Sequence, residues 1–294
     1  MVERINVSIR KFDVVMNPKK YLIQWYGTMK DCCVIIPIYN IVPTDDEVIS
    51  IKRNCSILKD YDIFFIHPFT MDIFAYEEII IDIFKKDITD RPNGSTKELF
   101  VNNIHFKQFK RKYFKSNKSY SRLLLSEEFY RSFLDYEYML IAQTDTYIVN
   151  TEHTLEEFIG ISKQKKYDYW GAVWPKGPFC KPYTVKDRFK LVIVKYPEEI
   201  TVGNGGFSLR HIMNSYNLII RKKNLIDFYW RFNEDMFFSW FAYDSLTDYN
   251  AASFEDAKGF ALEENMREEI EKGNIPYAVH AWRKFYPELL QKSR

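Results

Sequence analysis

From residue 32 to 38 the chain reads CCVIIPI, a run without a polar position and rich in β-branched residues. Such a run suits a strand buried on both faces, as in a parallel sheet. The pattern then changes period. Thr44 and Glu47 form a T-x-x-E capping box, and Val48, Ile51, Cys55 and Leu58 recur at helical spacing behind it. A second strand is predicted over 63–66, closed by His67 and Pro68. Residues 119–134 predict a helix with Leu123, Leu124, Tyr130 and Phe133 on its apolar side, and 138–142 a strand that stops at Gln143, Thr144 and Asp145. Thr154 and Glu157 make a second capping box, opening a helix that ends in the basic segment 163–166, where positive charge suits the negative end of the dipole.

Between 168 and 200, Pro175, Gly177, Pro178, Pro182 and Pro197 predict loops and short strands. Further helices are predicted from Ser208 or Leu209, from near Asn233, and across Leu262, Met266 and Ile270 up to Gly273. Strands alternating with helices imply βαβ units, hence a three-layer α/β/α sandwich around a mainly parallel, Rossmann-like sheet. No linker-like stretch or repeat divides the chain. The expectation is one domain over 31–294, with 1–30 as an N-terminal extension packed on it.

Charge and composition narrow the function. Lys plus Arg number 42 against 40 Asp plus Glu, a net charge of +2, which argues against a nucleic-acid binder held by a broad basic field. Hydrophobic residues at 46% exclude disorder as the main state. The longest apolar run, 32–39, is far short of the roughly 18 residues that span a bilayer, and the first thirty residues lack a signal-peptide pattern. A cytoplasmic location follows as the expectation. Cys32, Cys33, Cys55 and Cys180 have no metal or redox spacing and read as buried small apolar residues; adjacent Cys32 and Cys33 should face opposite sides of a strand.

Four places could carry chemistry. Asp145 follows a buried strand, where open α/β sheets meet ligands, although a lone Asp there also suits a turn. In VGNGGFSLR, residues 202–210, Gly203, Gly205 and Gly206 would permit positive φ and close backbone approach in a chain with only 10 glycines. The alternative is a tight turn before a helix. Asn233, Glu234 and Asp235 precede MFFSWF, and a carboxylate at that helix start could serve as a general base beyond the needs of capping. His280 ends a short β-like run, where a satisfied core histidine is the plain reading.

Taken in order on a frame beginning VIIPIYN, these elements resemble the common core of GT-A glycosyltransferases: DxD motif, glycine loop, xED motif and C-terminal histidine. The strings SYSRLLLS, QTDT, YWGAVW, VGNGGFSLR and NEDMFF are also similar to those of a bacterial glycosyltransferase-like domain family of unknown function, over roughly residues 31–286. The resemblance implies transfer of a sugar from a nucleotide-diphosphate donor to a glycan, lipid-linked or protein-linked acceptor, with inversion, in surface polysaccharide or glycoconjugate synthesis. Asp235 would be the base and Glu234 its neighbour orienting the acceptor or the helix. Pro37, Tyr39 and Asn40 would meet the base and ribose, and Asn204, Gly205, Gly206 and Trp174 the sugars. Asp145 and His280 would hold Mn²⁺ or Mg²⁺ at the diphosphate. The chain departs from the family at the DxD, where a single acid, Asp145, remains in either frame.

The segment 107–118 carries Lys107, Lys110, Arg111, Lys112, Lys115 and Lys118 and no acid. It reads as a solvated face, or as a contact for donor phosphates, with Lys118 first, or for anionic lipid heads in peripheral membrane contact. Two rival functions are a catalytically inactive nucleotide-sugar or glycan-binding protein and a metal-dependent phosphoesterase. The latter needs more metal ligands than the sequence clusters.

Overall fold

The all-apolar run forms β1 (Lys30–Pro37), with every residue from Cys32 onward buried. In the computed structural model, residues 30–89, 103–177, 181, 183–187, 190–194 and 200–292 are described, so the expected N-terminal extension and Cys180 lie outside the described residues. After β1 come α1 (Asp45–Ile57), β2 (Asp62–Pro68), α2 (Phe74–Thr89) and β3 (Ile104–Phe109). The Thr44 capping box is made: the Thr44 hydroxyl accepts from the Glu47 N–H, and the Glu47 carboxylate accepts from the Thr44 N–H at 2.8 Å. Residues 119–134 form two helices instead of one, α3 (Asn117–Leu124) and α4 (Glu127–Arg131), because Ser126 caps a new start by accepting from the Phe129 N–H.

Next are β4 (Tyr136–Ala142), β5 (Thr146–Ile148), α5 (Leu155–Lys165), β6 (Tyr169–Val173), β7 (Tyr183–Asp187), β8 (Lys190–Val194) and β9 (Val202–His211). The main sheet has the order β3-β2-β1-β4-β9-β6. β3, β2, β1 and β4 are parallel, and β9 runs antiparallel to β4 and β6 on either side of it. A mixed α/β sandwich with a mainly parallel sheet was expected, and this is its form.

β9 corrects the helix start expected at Ser208 or Leu209. Antiparallel pairing with β4 continues to Tyr138↔His211, so the backbone partners of β4 hold the chain extended and α6 (Ile212–Arg221) begins only afterwards. The chain ends with α7 (Lys223–Phe228), α8 (Glu234–Ala242), α9 (Phe254–Phe260), β10 (Ala261–Leu262), α10 (Met266–Glu271), β11 (Ala278–His280), α11 (Trp282–Phe285) and α12 (Leu289–Lys292). Leu262 therefore lies in a strand rather than in the last long helix.

Two cores sandwich the sheet. Val34 and Ile36 of β1 point into a cluster with Ile51 of α1, Ile80 of α2, Phe158 of α5 and Phe260 of α9. Ile35 points the other way, to Leu123 of α3, Phe129 of α4, Tyr216 of α6 and Phe237 of α8. Cys32 and Cys33 divide between the same two clusters, as strand alternation requires. Burial lifts the Cys33 thiol well above its ordinary pKa, so these thiols behave as apolar side chains.

Candidate active site

The turn between β4 and β5 carries Asp145, and backbone geometry fixes it. The Gln143 N–H donates to Gly206 O at 2.9 Å, and the Thr146 N–H and hydroxyl donate to Gln143 O at 3.0 and 2.7 Å. The Thr144 hydroxyl donates to Glu47 Oε1 at 2.7 Å, so the residue that caps α1 also ties the β1–α1 loop to this turn. Asp145 is the turn's one acid, and its side chain remains 51% exposed. β5 also pairs antiparallel with β11, with His280 opposite Thr146. This register brings His280 Nε2 to 3.4 Å from Asp145 Oδ1.

On its other side, His280 Nδ1 lies 3.3 Å from Glu263 Oε1, close enough for an ion pair but off the axis of a hydrogen bond. Burial disfavours the imidazolium, yet the two flanking carboxylates outweigh it and push the His280 pKa up to about 10. Burial likewise opposes the Asp145 charge, and contact with His280 wins there too, holding the carboxyl below its usual range. As an imidazolium, His280 places a positive charge beside Asp145.

The glycines of β9 make room for these groups. Gly203, Gly205 and Gly206 do not adopt positive φ; among the described residues the glycines that do are Gly177 and Gly273. The expectation of left-handed backbone is thus corrected, and close approach is the operative reason. A Cβ on Gly206 would clash with the His280 ring. One on Gly205 would meet Glu234 Oε1 at 2.8 Å, Arg210 Nη2 at 3.1 Å and Asp235 Cβ at 3.2 Å. Consecutive strand positions face opposite ways, so the two glycines seat His280 and Asp235 on either side of one stretch of backbone. Gly206→Ala is expected to displace the His280 ring and to destabilise the fold by about 1–3 kcal/mol through overpacking. A urea unfolding curve checks this, with Gly259→Ala as the control, because a Cβ there meets nothing within 4 Å.

Asp235 sits in the first turn of α8. Its Oδ1 accepts from the Met236 N–H at 2.7 Å, while Asn233 occupies the cap position without a side-chain capping bond. Burial, then the neighbouring Glu234 charge, raise the Asp235 pKa to about 7, the range that suits a base working near neutrality. Glu234 is buried and committed elsewhere. Its Oε2 accepts from the Ser121 hydroxyl at 2.6 Å, and its Oε1 lies 3.4 Å from Arg210 Nη2.

Arg210, fully buried, was not singled out by the sequence reading. Its guanidinium donates to Ser208 Oγ at 3.1 Å and the Tyr130 hydroxyl at 3.3 Å, and it stacks on the rings of Tyr169 and Phe238. Only the strand alternation of β9 could have hinted at it. With Phe207 and Leu209 in one core, Arg210 must enter the other.

Asn204 bridges the glycine stretch to the histidine. Its Nδ2 donates to Glu263 Oε2 at 2.5 Å, and its Oδ1 accepts from the Gly206 N–H at 3.1 Å. Glu263, between β10 and α10, was also missed, since nothing in the local sequence marks it. Pro37 is buried at the end of β1, and Tyr39 and Asn40 follow it, exposed. Partial burial, then the charges of Glu47 and Asp145, raise the Tyr39 pKa above its ordinary value.

Trp174 is only 7% exposed and packs with Ile200, Phe232, Met236 and Trp240 behind Gly203, so it offers no open ring face here. Lys118 is exposed on the first turn of α3; that helix reaches the site through Ser121. Asp145 and His280 offer an oxygen and a nitrogen donor close enough to share one divalent ion, with Glu263 at the second imidazole nitrogen as metal-bound histidines commonly have. Among the described residues, no group of three or more His, Cys, Asp or Glu side chains forms a metal site, so an ion would draw its remaining ligands from a bound diphosphate and water.

The profile of a protein family of unknown function, DUF5672, matches residues 103–280, a span that includes Asp145, the β9 glycines, Asp235 and His280. No curated protein matches the sequence. Similar solved structures include a glycosyltransferase involved in glycosylation of the major capsid of PBCV-1, 11% identical, with a TM-score of 0.44, covering 89% of this chain and 100% of that one. Mouse xyloside xylosyltransferase 1 is 9% identical with a TM-score of 0.44, over 85% and 97% of the two chains. The 4-diphosphocytidyl-2C-methyl-D-erythritol synthase of Anaerococcus prevotii is 14% identical with a TM-score of 0.38, over 76% and 86%. At these values the structural likenesses carry no functional argument.

Proposed function

Proceeding from the fact that the chain belongs to the DUF5672 family, we propose that it is a glycosyltransferase moving a sugar from a nucleotide-diphosphate donor to an acceptor hydroxyl, with inversion. The observation that supports this reading is that one glycine stretch of β9 meets both groups, Gly206 the ring of His280, itself 3.4 Å from Asp145, and Gly205 the side chains of Glu234 and Asp235. Such transfer needs a proton taken from the acceptor and negative charge balanced on the leaving group. Asp235 takes the proton. Glu234, held by Arg210 and Ser121, fixes the start of α8 so that Asp235 faces Gly205.

Asp145 and His280 serve the diphosphate end. When a divalent ion is bound there, it neutralises diphosphate charge. Without one, the His280 imidazolium supplies a cation of its own. Pro37, at the end of β1, and the exposed Tyr39 and Asn40 after it are the residues assigned here to the base and ribose. The acceptor is a glycan or a lipid- or protein-linked hydroxyl. No helix among the described residues is long and apolar enough to cross a membrane, and the exposed lysines of 107–118 suit contact with anionic lipid heads in a cytoplasmic, membrane-peripheral setting.

The test is a panel of nucleotide sugars by thermal shift, with and without Mn²⁺. A donor at 100 times its Kd should stabilise the fold by about 2.7 kcal/mol. Turnover of that donor distinguishes an enzyme from an inactive binding protein, and no stabilisation by any nucleotide sugar overturns the proposal. In calorimetry, Mn²⁺ should bind weakly alone and more tightly with a nucleoside diphosphate, a gain lost in Asp145→Ala and His280→Ala.

A further inference from the structure

A line of polar contacts crosses the site from the glycine strand to the exposed acid. It runs from the Gly206 N–H to Asn204 Oδ1, from Asn204 Nδ2 to Glu263 Oε2, from Glu263 Oε1 to His280 Nδ1, and from His280 Nε2 to Asp145 Oδ1. Its middle is protected: the Glu263 and His280 side chains are 14% and 12% exposed. Its end is open, with Asp145 at 51%. His280 Nδ1 is buried without an aligned hydrogen-bond partner, and Glu263 is the carboxylate beside it. A buried polar atom left in this state costs free energy that a small ring rotation would recover.

We propose that Glu263 is a positioning residue: anchored to the glycine strand through Asn204, it sets the plane of the His280 ring so that Nε2 faces the diphosphate beside Asp145. The inference rests on the donor-site reading above. Glu263 does not touch the ligand in this arrangement. It acts through the ring, and occupation of the Nε2 side should turn the ring the small amount that aligns Nδ1 with Glu263 Oε1. Contacts of this sort are often long in a free site and tighten in the complex. Gly206 belongs to the same device, since the ring lies where its side chain would be.

The experiment compares the full chain with Glu263→Ala, Glu263→Gln, His280→Ala and the Glu263→Ala/His280→Ala double variant. Calorimetric titrations use UDP, GDP, CDP and ADP in turn, each with Mn²⁺. For the diphosphate that binds, Glu263→Ala should weaken affinity about 10- to 100-fold, the usual cost of removing a partner behind a ligating histidine. Glu263→Gln, which keeps an acceptor of the same reach, should lose far less. The double variant should bind no more weakly than His280→Ala, because both changes remove one unit.

Equal affinity in wild type and Glu263→Ala, or losses that add in the double variant, overturns the proposal. A second measurement needs no ligand: the long-range ¹⁵N–¹H imidazole signals of His280 should shift in Glu263→Ala and return toward wild type in Glu263→Gln. Unchanged signals overturn the positioning role on their own. If the wild type binds none of the four diphosphates while the His280 signals shift as expected, the donor-site reading fails and Glu263 still sets the ring.

Discussion

Asp235→Asn is expected to lower sugar transfer about 10²- to 10⁴-fold while donor affinity stays near that of wild type. The amide keeps the shape of the carboxylate but cannot take a proton. The pH profile should carry the same signature. Burial and the Glu234 charge raise the Asp235 pKa to about 7, so the base is protonated below that value and free above it. Transfer should therefore rise as pH increases through about 7, and the rise should vanish in the residual activity of Asp235→Asn. Initial rates measured from pH 5.5 to 8.5 check both statements. Equal rates in variant and wild type would remove Asp235 from the chemistry.

Arg210→Met is expected to be among the most damaging changes to stability, at about 3–5 kcal/mol, the usual cost of leaving a buried ionic partner uncompensated. Arg210 is fully buried, and its loss would leave the carboxylate of Glu234, at 6% side-chain exposure, without its guanidinium partner. Donors to Ser208 and Tyr130 would be lost as well. Denaturant unfolding measures the loss. The double variant Arg210→Met/Glu234→Gln should recover much of it, because the stranded charge is then gone. A single variant as stable as wild type would show that the pair contributes nothing and that α8 is held by its apolar face alone.

The same residues show where sequence reading reaches and where it stops. Asp145, Asp235 and His280 could be picked out locally, each from its position at the edge of a strand or helix. Arg210 could not, because the helix expected from Ser208 or Leu209 would have put it on a different face. What keeps this stretch extended is pairing with β4, whose residues lie some seventy positions earlier in the chain. The β9 glycines were conspicuous by their clustering, but the expected reason for them was partly wrong. They are not left-handed; their hydrogens face Asp235, Arg210 and the His280 ring.

By itself the sequence determined the elements whose causes are local. The apolar run of β1, the Thr44 and Thr154 caps, and the alternation that makes the parallel part of the sheet all depend on neighbours a few residues away. Tertiary structure alone decided which charges meet. The register of β5 against β11 puts His280 beside Asp145, the fold behind β10 brings Glu263 to the other ring nitrogen, and the antiparallel β9 carries Arg210 to Glu234. The physical reason is range: caps and periodicity act within a turn or two of chain, whereas ion pairs and pKa values are set by groups that only pairing and packing bring within a few ångströms.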